Sequence, residues 1–381
     1  TSGAGGSSSA SSSSSSGSGG STPGPVTNPF DGATFYVNPD YAAEVQSSIA
    51  LDPANAALLE KVKAFPTAIW LDRIAMVSNI GKHLAGAKAL QQQTGKPVVT
   101  VFVVYDLPNR DCAAKASNGE LKVETGGVAT YKTQFIDAIA AEFAKYPDQR
   151  IVAIVEPDSL PNIATNLSQP RCAASEQAYR ESVAYAINKL DLPNVYQYLD
   201  SAHSGWLGWQ SNQTKMAQIF KEVLTAAGGV DKIRGFATNV ANYTPLQATA
   251  ELFDFQGNPC HDELTFVQQL SQSYAAAGLT NKGFIIDTSR NGRGGIRHDW
   301  GYWCNNKGAG LGQRPVASPV AGVDAYFWVK PPGESDGTSD PTAVRYDEFC
   351  GKQDAAQSAP EAGQWFHSYF VELAKNANPS L

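Results

Sequence analysis

Four short apolar runs in this chain each lead into a carboxylate. Residues 98–105 run into Asp106, 151–155 into Glu156 and Asp158, 195–199 into Asp200, and 284–286 into Asp287. A strand covered on both faces reads as a continuous apolar run rather than an alternating one. When parallel strands close into a barrel, their C-terminal ends converge on one face, and catalytic side chains sit there. The pattern therefore predicts a ring of acids around one cleft. No matching set of histidines or cysteines accompanies these acids, so they point to acid–base chemistry.

Strand-like and helical stretches alternate along the chain. Strands are expected over 32–37, 67–71, 98–105, 151–155, 195–200, 233–238, 284–287 and 324–329. Helices are expected over 42–65 with a break at Asp52-Pro53, then 80–93, 128–146, 176–190, 214–227, 262–277 and 360–376. In the last of these, Trp365, Phe366, Tyr369, Phe370 and Leu373 share one face, as core residues do. Residues 288–318 read as irregular. Such alternation means an α/β protein with parallel strands. Neither a GxGxxG after a strand nor a GxxxxGK[ST] occurs, so a barrel is favoured over a nucleotide-binding doubly wound sheet.

Residues 1–25 are almost entirely Ser and Gly, with prolines at the end. They lack the apolar surface a core needs and read as a flexible linker, the remnant of a connection to a binding module. Residues 26–381 form the globular part. The net charge of -7 and the absence of a basic patch argue against a nucleic-acid partner. No apolar run reaches membrane-spanning length. No leader precedes Thr1, so a secreted form would have lost its signal. The five cysteines form no CxxC pair and suit either disulfides with one free thiol or five reduced core thiols. Sequons at Asn166, Asn212 and Asn242 are compatible with a secreted glycoprotein.

The chemistry concentrates in a few segments. Residues 105–112 carry Tyr105, Asp106, Arg110 and Asp111 off the end of the long strand. Glu156 and Asp158 are two apart, so an extended chain would project them to the same side. If Asp111 and Asp158 approach closely, both cannot ionise cheaply, and one becomes an acid that keeps its proton. The five histidines form no HxH or HExxH, and no GxSxG nucleophile elbow is present, so neither a metal hydrolase nor a serine hydrolase is indicated. No cofactor is implied. Trp70, Trp206, Trp209, Trp300 and Trp303 fall beside the same strand ends. Indole planes in an acid-lined groove suit sugar rings, and acid pairs with such a groove indicate a glycoside hydrolase.

Longer motifs make the reading specific. The segments YDLPxRDC (105–112), EPDSL (156–160), YLDxxHxGWLGW (198–209), ATNVANY (237–243) and WVKPxGExDGTSD (328–340) closely resemble the cellobiohydrolases of fungal glycoside hydrolase family six. The resemblance covers essentially everything after the linker. It implies a distorted seven-stranded parallel β/α barrel, TIM-like, with two loops roofing an active-site tunnel. It also implies inverting hydrolysis of β-1,4-glucosidic bonds in cellulose, with cellobiose released from the non-reducing end. Asp158 would be the general acid and Asp111 the group that raises its pKa. Asp336 would be the candidate base, with an indirect water route through Ser117 as the alternative, and Tyr105 would help distort the sugar. Arg110, Asp200, His203, Asn242, Lys330 and Glu334 match sugar-contacting positions. Trp70 and Trp303 would line the glycone side, Trp206 and Trp209 the aglycone side.

The same resemblance implies disulfides Cys112–Cys172 and Cys304–Cys350, leaving Cys260 free. It suggests that Glu156, Asp106 and Asp287 hold partners such as Arg110 or Arg290, and that Asn242 is too much a part of the site to be glycosylated. The partner would be a cellulose chain or cello-oligosaccharide, met by a secreted monomer. Full-length roof segments favour exo action. An endo-acting glucanase with the same residues and an inactive sugar-binding protein are the alternatives.

Overall fold

The computed structural model describes Thr1, residues 27–248 and residues 257–381. The expected linker lies outside the described residues apart from Thr1. Strand β1 (Thr34–Phe35) leads into helices α1 (Pro39–Leu51) and α2 (Ala56–Val62), then β2 (Ile69–Leu71). Helix α3 (Ile80–Thr94) precedes β3 (Val98–Val104). Next come α4 (Gly127–Thr130), one π-helical turn (Tyr131–Ile136) and α5 (Asp137–Ala144), where a single helix over 128–146 was expected.

From β4 (Arg150–Val155) the chain passes through α6 (Ser159–Thr165) and α7 (Pro170–Lys189) to β5 (Val195–Asp200). It continues through α8 (Ser204–Leu207) and α9 (Gln210–Ala226) to β6 (Gly235–Thr238), then α10 (Glu263–Ala276) and β7 (Gly283–Asp287). Strands β8 (Val316–Val320) and β9 (Val323–Phe327) precede the last helix, α11 (His367–Lys375).

Seven parallel staves result. β1 and β2 pair end to end along one side of β3: Thr34 lies opposite Val98, and Trp70 opposite Val103. The order then runs β3, β4, β5, β6, β7, β9. At the C-terminal end the ring closes, because Thr67 bridges Trp328 and the Ala68 N–H donates to the Trp328 carbonyl at 3.1 Å. At the other end the seam is bridged by the Asn28 side chain, which donates to Ser318 Oγ at 2.9 Å and to the Asp324 carbonyl at 3.0 Å.

The strands sort their side chains with period two. Val99, Val101, Val103 and Tyr105 point into the barrel with Ile154, Tyr198, Ile285 and Phe327. Phe102, Val104, Val155, Leu199, Phe236 and Ile286 point outward against the helices. All residues of β3 are buried, as its nearly continuous apolar run, interrupted only by Thr100, requires. Tyr105 tops the inner row and opens into the cleft.

Several local expectations are corrected. β8 lies within and beyond the stretch read as irregular. It is an antiparallel edge strand, where Pro319 is tolerated because its missing N–H faces no partner. Helices α7 and α9 start earlier than expected, at Pro170 and Gln210; proline suits the first helical turn, where its N–H would be unpaired. The last helix starts at His367 rather than 360. Trp365 and Phe366 enter the core from an extended segment, and the Phe366 N–H donates to the Gly333 carbonyl at 2.7 Å.

Candidate active site

The loops leaving the strand ends are tightly turned. Asn109, Asp111, Glu156, Asp158, Ala202, Asn239 and Ala241 all adopt positive φ. That region costs non-glycine residues roughly 1–3 kcal/mol each, and such strain clusters at functional sites. Glu156 and Asp158 therefore do not project together from extended chain, as their spacing suggested. Glu156 turns toward the layer between sheet and helices and accepts the N–H groups of Asp106 and Leu107 and the hydroxyl of Tyr131. Asp158 turns toward a cavity of about 350 Å³.

Asp158 occupies the N-cap position of α6, yet its side chain makes no capping bond. Burial raises its pKa well above the carboxylate range, and the charges of Asp111 and Asp200 push it further. Asp200 lies beneath it, buried and outside the cavity lining. Its carboxylate accepts the Asp158 N–H at 2.9 Å and the Ala202 N–H at 3.2 Å. Burial lifts Asp200 to about 7.

Asp111 lines the cavity and collects two hydroxyls: Tyr105 donates to it at 2.9 Å, and Ser117 donates to the same oxygen. Arg110 braces this group. Its guanidinium stands 4.2 Å over the Tyr105 ring, donates to the Asp72 and Ser117 carbonyls at 2.7 and 2.9 Å, and lies 3.7 Å from buried Asp106.

Asp336 also borders the cavity but is heavily coordinated. Arg290 Nη1 reaches both of its oxygens at 2.8 and 2.9 Å, the Tyr243 hydroxyl donates at 2.7 Å and the Asn305 N–H at 2.8 Å. Arg290 is thus the partner of Asp336, not of Asp287. Asp287 instead ties backbone, accepting the N–H groups of Ala241, Ser289, Val329 and Lys330.

The remaining side chains divide between two ends. At one, the Trp70 indole donates to the Val329 carbonyl and stands edge-on to Tyr105 with centroids 5.2 Å apart. Lys330 sits 5.6 Å over Trp70 and donates to Glu334 at 3.3 Å. Burial raises the pKa of Glu334. At the other, burial, with Arg297 nearby, holds His203 neutral. The Trp206 indole donates to Thr165 Oγ1 at 2.7 Å. Asn242 lines the cavity and accepts from Arg297 at 3.0 Å. Trp303 lines the cavity beside Phe349. Trp209 does not line it; its ring packs 5.8 Å from that of Trp300, which does.

Two segments meet over the cleft. The Lys115 N–H donates to Asp347 Oδ2 at 2.7 Å, and Ala116 is buried against Cys304 and Cys350. A Cβ on Gly337 would come within 2.6 Å of the Ala116 Cβ, so glycine is required there for this approach. Disulfides join Cys112 to Cys172 and Cys304 to Cys350, one at the base of each segment; Cys260 is free and buried. Among the described residues no cluster of three or more His, Cys, Asp or Glu is arranged to hold a metal ion, and no helix is long and apolar enough to cross a membrane.

Sequence reasoning passed over cavity residues Asp72, Asn162, Asn166, Gln169 and Arg345 as site residues. Asp72 carried a usable signal: it follows β2 as Asp106 follows β3, so the strand-end rule applied to that short strand would have found it.

The glycosyl hydrolases family 6 model matches residues 30–377. Exoglucanase 3 of Agaricus bisporus is 44% identical over 358 residues, covering 93% of this chain and 80% of that protein. The 1,4-beta-D-glucan cellobiohydrolase CEL6C of Podospora anserina is 45% identical over 364 residues, covering 93% and 89%. Among solved structures, cellobiohydrolase II (Cel6A) from Humicola insolens, in complex with glucose and cellotetraose, superposes with a TM-score of 0.90 at 41% identity and covers 93% of this chain and 100% of its own. The CcCel6A catalytic domain complexed with p-nitrophenyl beta-D-cellotrioside gives 0.90 at 48%, covering 93% and 99%. With the strand-end acids, the roofed cavity and these matches together, the chain belongs to family 6 of the glycosyl hydrolases.

Proposed function

We propose that this enzyme hydrolyses β-1,4-glucosidic bonds of cellulose and cello-oligosaccharides with inversion, releasing cellobiose from non-reducing ends. The observation that carries the reading is Asp158, a carboxyl group kept protonated beside a roofed, Trp-lined cavity. Asp158 gives its proton to the glycosidic oxygen as the bond to the anomeric carbon breaks. A water attacks that carbon from the opposite face, which inverts the configuration. Asp111 stabilises the positive charge developing on the sugar. Tyr105, held by Asp111 and pressed by Arg110, forms the wall against which the ring distorts.

The attacking water must lose a proton. Asp336 is one acceptor, but its Oδ2 already accepts from Tyr243, Arg290 and the Asn305 N–H, and its Oδ1 from Arg290. That engagement favours the indirect route, in which a second water passes the proton toward Ser117 and Asp111. Trp70, Lys330 and Glu334 bind the glycone; His203, Trp206 and Asn242 bind the leaving side. Asp200 acts from behind by fixing the Asp158 backbone. The touching roof segments favour exo over endo action, since a closed roof admits a chain by its end. The disulfides suit an extracellular, secreted protein acting as a monomer.

Product analysis tests the reading. Digestion of cellulose is expected to yield mainly cellobiose with inverted anomeric configuration, and carboxymethylcellulose should lose viscosity slowly. A fast viscosity loss would replace the exo reading by the endo one.

A further inference from the structure

Asp111 and Ser117 stand near the two ends of one loop, and residues 111–118 form no helix or strand that would set their distance. Among the described residues the backbone of this loop makes two hydrogen bonds with itself. The Ala114 N–H donates to the Asp111 carbonyl at 3.1 Å, and the Asn118 N–H to the Lys115 carbonyl at 3.3 Å. Asp111 is left-handed, with φ 54°. A non-glycine residue keeps that conformation only where its surroundings enforce it. Ser117 must still turn its hydroxyl to the Asp111 carboxylate and its carbonyl to Arg110 Nε.

Asn118 supplies the missing restraint from the middle of the loop. Its Nδ2 donates to the carbonyls of Ala114 at 2.7 Å, Asp111 at 3.2 Å and Arg110 at 3.4 Å. Both lone pairs of the Asp111 carbonyl are thereby engaged, one by the Ala114 N–H and one by Asn118. On its other side Asn118 Oδ1 accepts from Arg171 Nη2 of α7 at 3.1 Å, and Arg171 Nη1 reaches the Ala114 carbonyl at 3.4 Å. These neighbours fix the amide's orientation. Carbonyls only accept and a guanidinium only donates, so the NH2 group faces the loop and the oxygen faces Arg171. The Cys112–Cys172 disulfide tethers the loop at one point, whereas the amide grips three of its peptide groups. Asn118 does not line the cavity, so its bonds serve the loop rather than a substrate.

We propose that Asn118, oriented by Arg171, is a positioning residue for hydrolysis. It holds the Asp111 carboxylate and the Ser117 hydroxyl where Asp111 faces the charge developing on the sugar and where the proton of the attacking water can reach them. The proposal rests on the role given to Asp111 above.

The test measures kcat, KM and the pH profile on cellotetraose. Asn118→Ala is expected to lower kcat about tenfold to hundredfold, the rate equivalent of one or two lost hydrogen bonds, with a much smaller change in KM. Asn118→Asp keeps the size of the side chain but turns an oxygen toward the three carbonyls, so it should lose as much. Asn118→Ala should also move the alkaline limb of kcat to lower pH. Asp158 holds its proton less firmly once the Asp111 charge is no longer kept near it, while burial and Asp200 still act. Asp111→Asn combined with Asn118→Ala should be little slower than Asp111→Asn alone, because both changes remove one placement. Arg171 is exposed, so Arg171→Ala leaves the fold intact; it should lower kcat about threefold, and not at all in the Asp111→Asn background. Wild-type kcat in Asn118→Asp or in Arg171→Ala overturns the proposal. So does an unmoved limb in Asn118→Ala, a loss confined to KM, or full additivity with Asp111→Asn, each of which would leave Asn118 a merely structural part of the roof. Asp111→Asn turning over at the wild-type rate would break the reading of Asp111 itself, a result distinct from a slow Asp111→Asn beside an unaffected Asn118→Asp.

Discussion

Asp158 and Asp336 border the same cavity and are supported in opposite ways. Asp158 has two acidic neighbours, burial, and no hydrogen bond to its carboxyl from the described residues; the protein withholds what would let it ionise. Asp336 has a buried guanidinium gripping both oxygens, a phenol and a backbone N–H. One acid is left ready to donate a proton. The other is tied into the frame that holds the roof segment, because Asn305 also accepts the Asp336 N–H through its side chain at 2.8 Å. On the proposed mechanism the difference separates a group that reacts from a group that chiefly organises, although both are aspartates in one cleft.

The sharpest way to break this comparison is to remove each side chain in turn. Asp158→Ala should show the largest effect, a fall in kcat on cello-oligosaccharides of about 10²–10⁴, the usual worth of a general acid. Binding of cellotetraose, measured by calorimetry, should persist. The fold should keep its stability, because the Asp158 carboxyl makes no hydrogen bond with the described residues that its loss would break. Turnover close to wild type would remove Asp158 from the acid role.

Asp336→Ala should behave differently in the folded state itself. It strands Arg290 without a counter-ion at a site where the guanidinium is fully buried. Losing one partner of a buried pair costs about 3–5 kcal/mol, so thermal unfolding should shift down by several degrees. If Asp336→Ala melts like the wild type while losing all turnover, the frame role fails and a direct base role gains.

How much of this was legible beforehand follows from what each residue depends on. The barrel was legible because 98–104 is apolar at every position but Thr100, and only a doubly covered strand needs that. Asp158 was legible as a strand-end acid because it closely follows β4, while its proposed role as general acid came only from the longer motif. Asp336 lay beyond the last stave and entered only through the longer motif. The Arg290 pairing was hidden because it joins residues 46 apart on two loops, and no local pattern encodes such a contact. The turn of Glu156 away from the cavity was hidden as well. Its positive φ falls on a residue type that seldom adopts it, so the backbone gives no warning in the sequence. Trp365 and Phe366 misled for a related reason: their spacing fits a helix face, but the segment is held extended by its bond to Gly333.

A smaller effect sharpens the acid side. The Asp111 charge raises the pKa of Asp158, after burial itself. Asp111→Asn removes that charge while keeping an oxygen for the Tyr105 and Ser117 hydroxyls. Asp158 should then lose its proton at lower pH. Catalysis needs that proton, so the alkaline limb of the kcat profile should move to lower pH, while the limb's shape stays that of a single ionisation. Burial and Asp200 still act on Asp158, so the displacement should stop well short of the ordinary carboxylate range. A limb that stays in place would mean that burial and Asp200 keep Asp158 protonated without Asp111. Asp111 would then contribute only to charge at the sugar, and the contrast with Asp336 would rest on a single acid rather than on a pair.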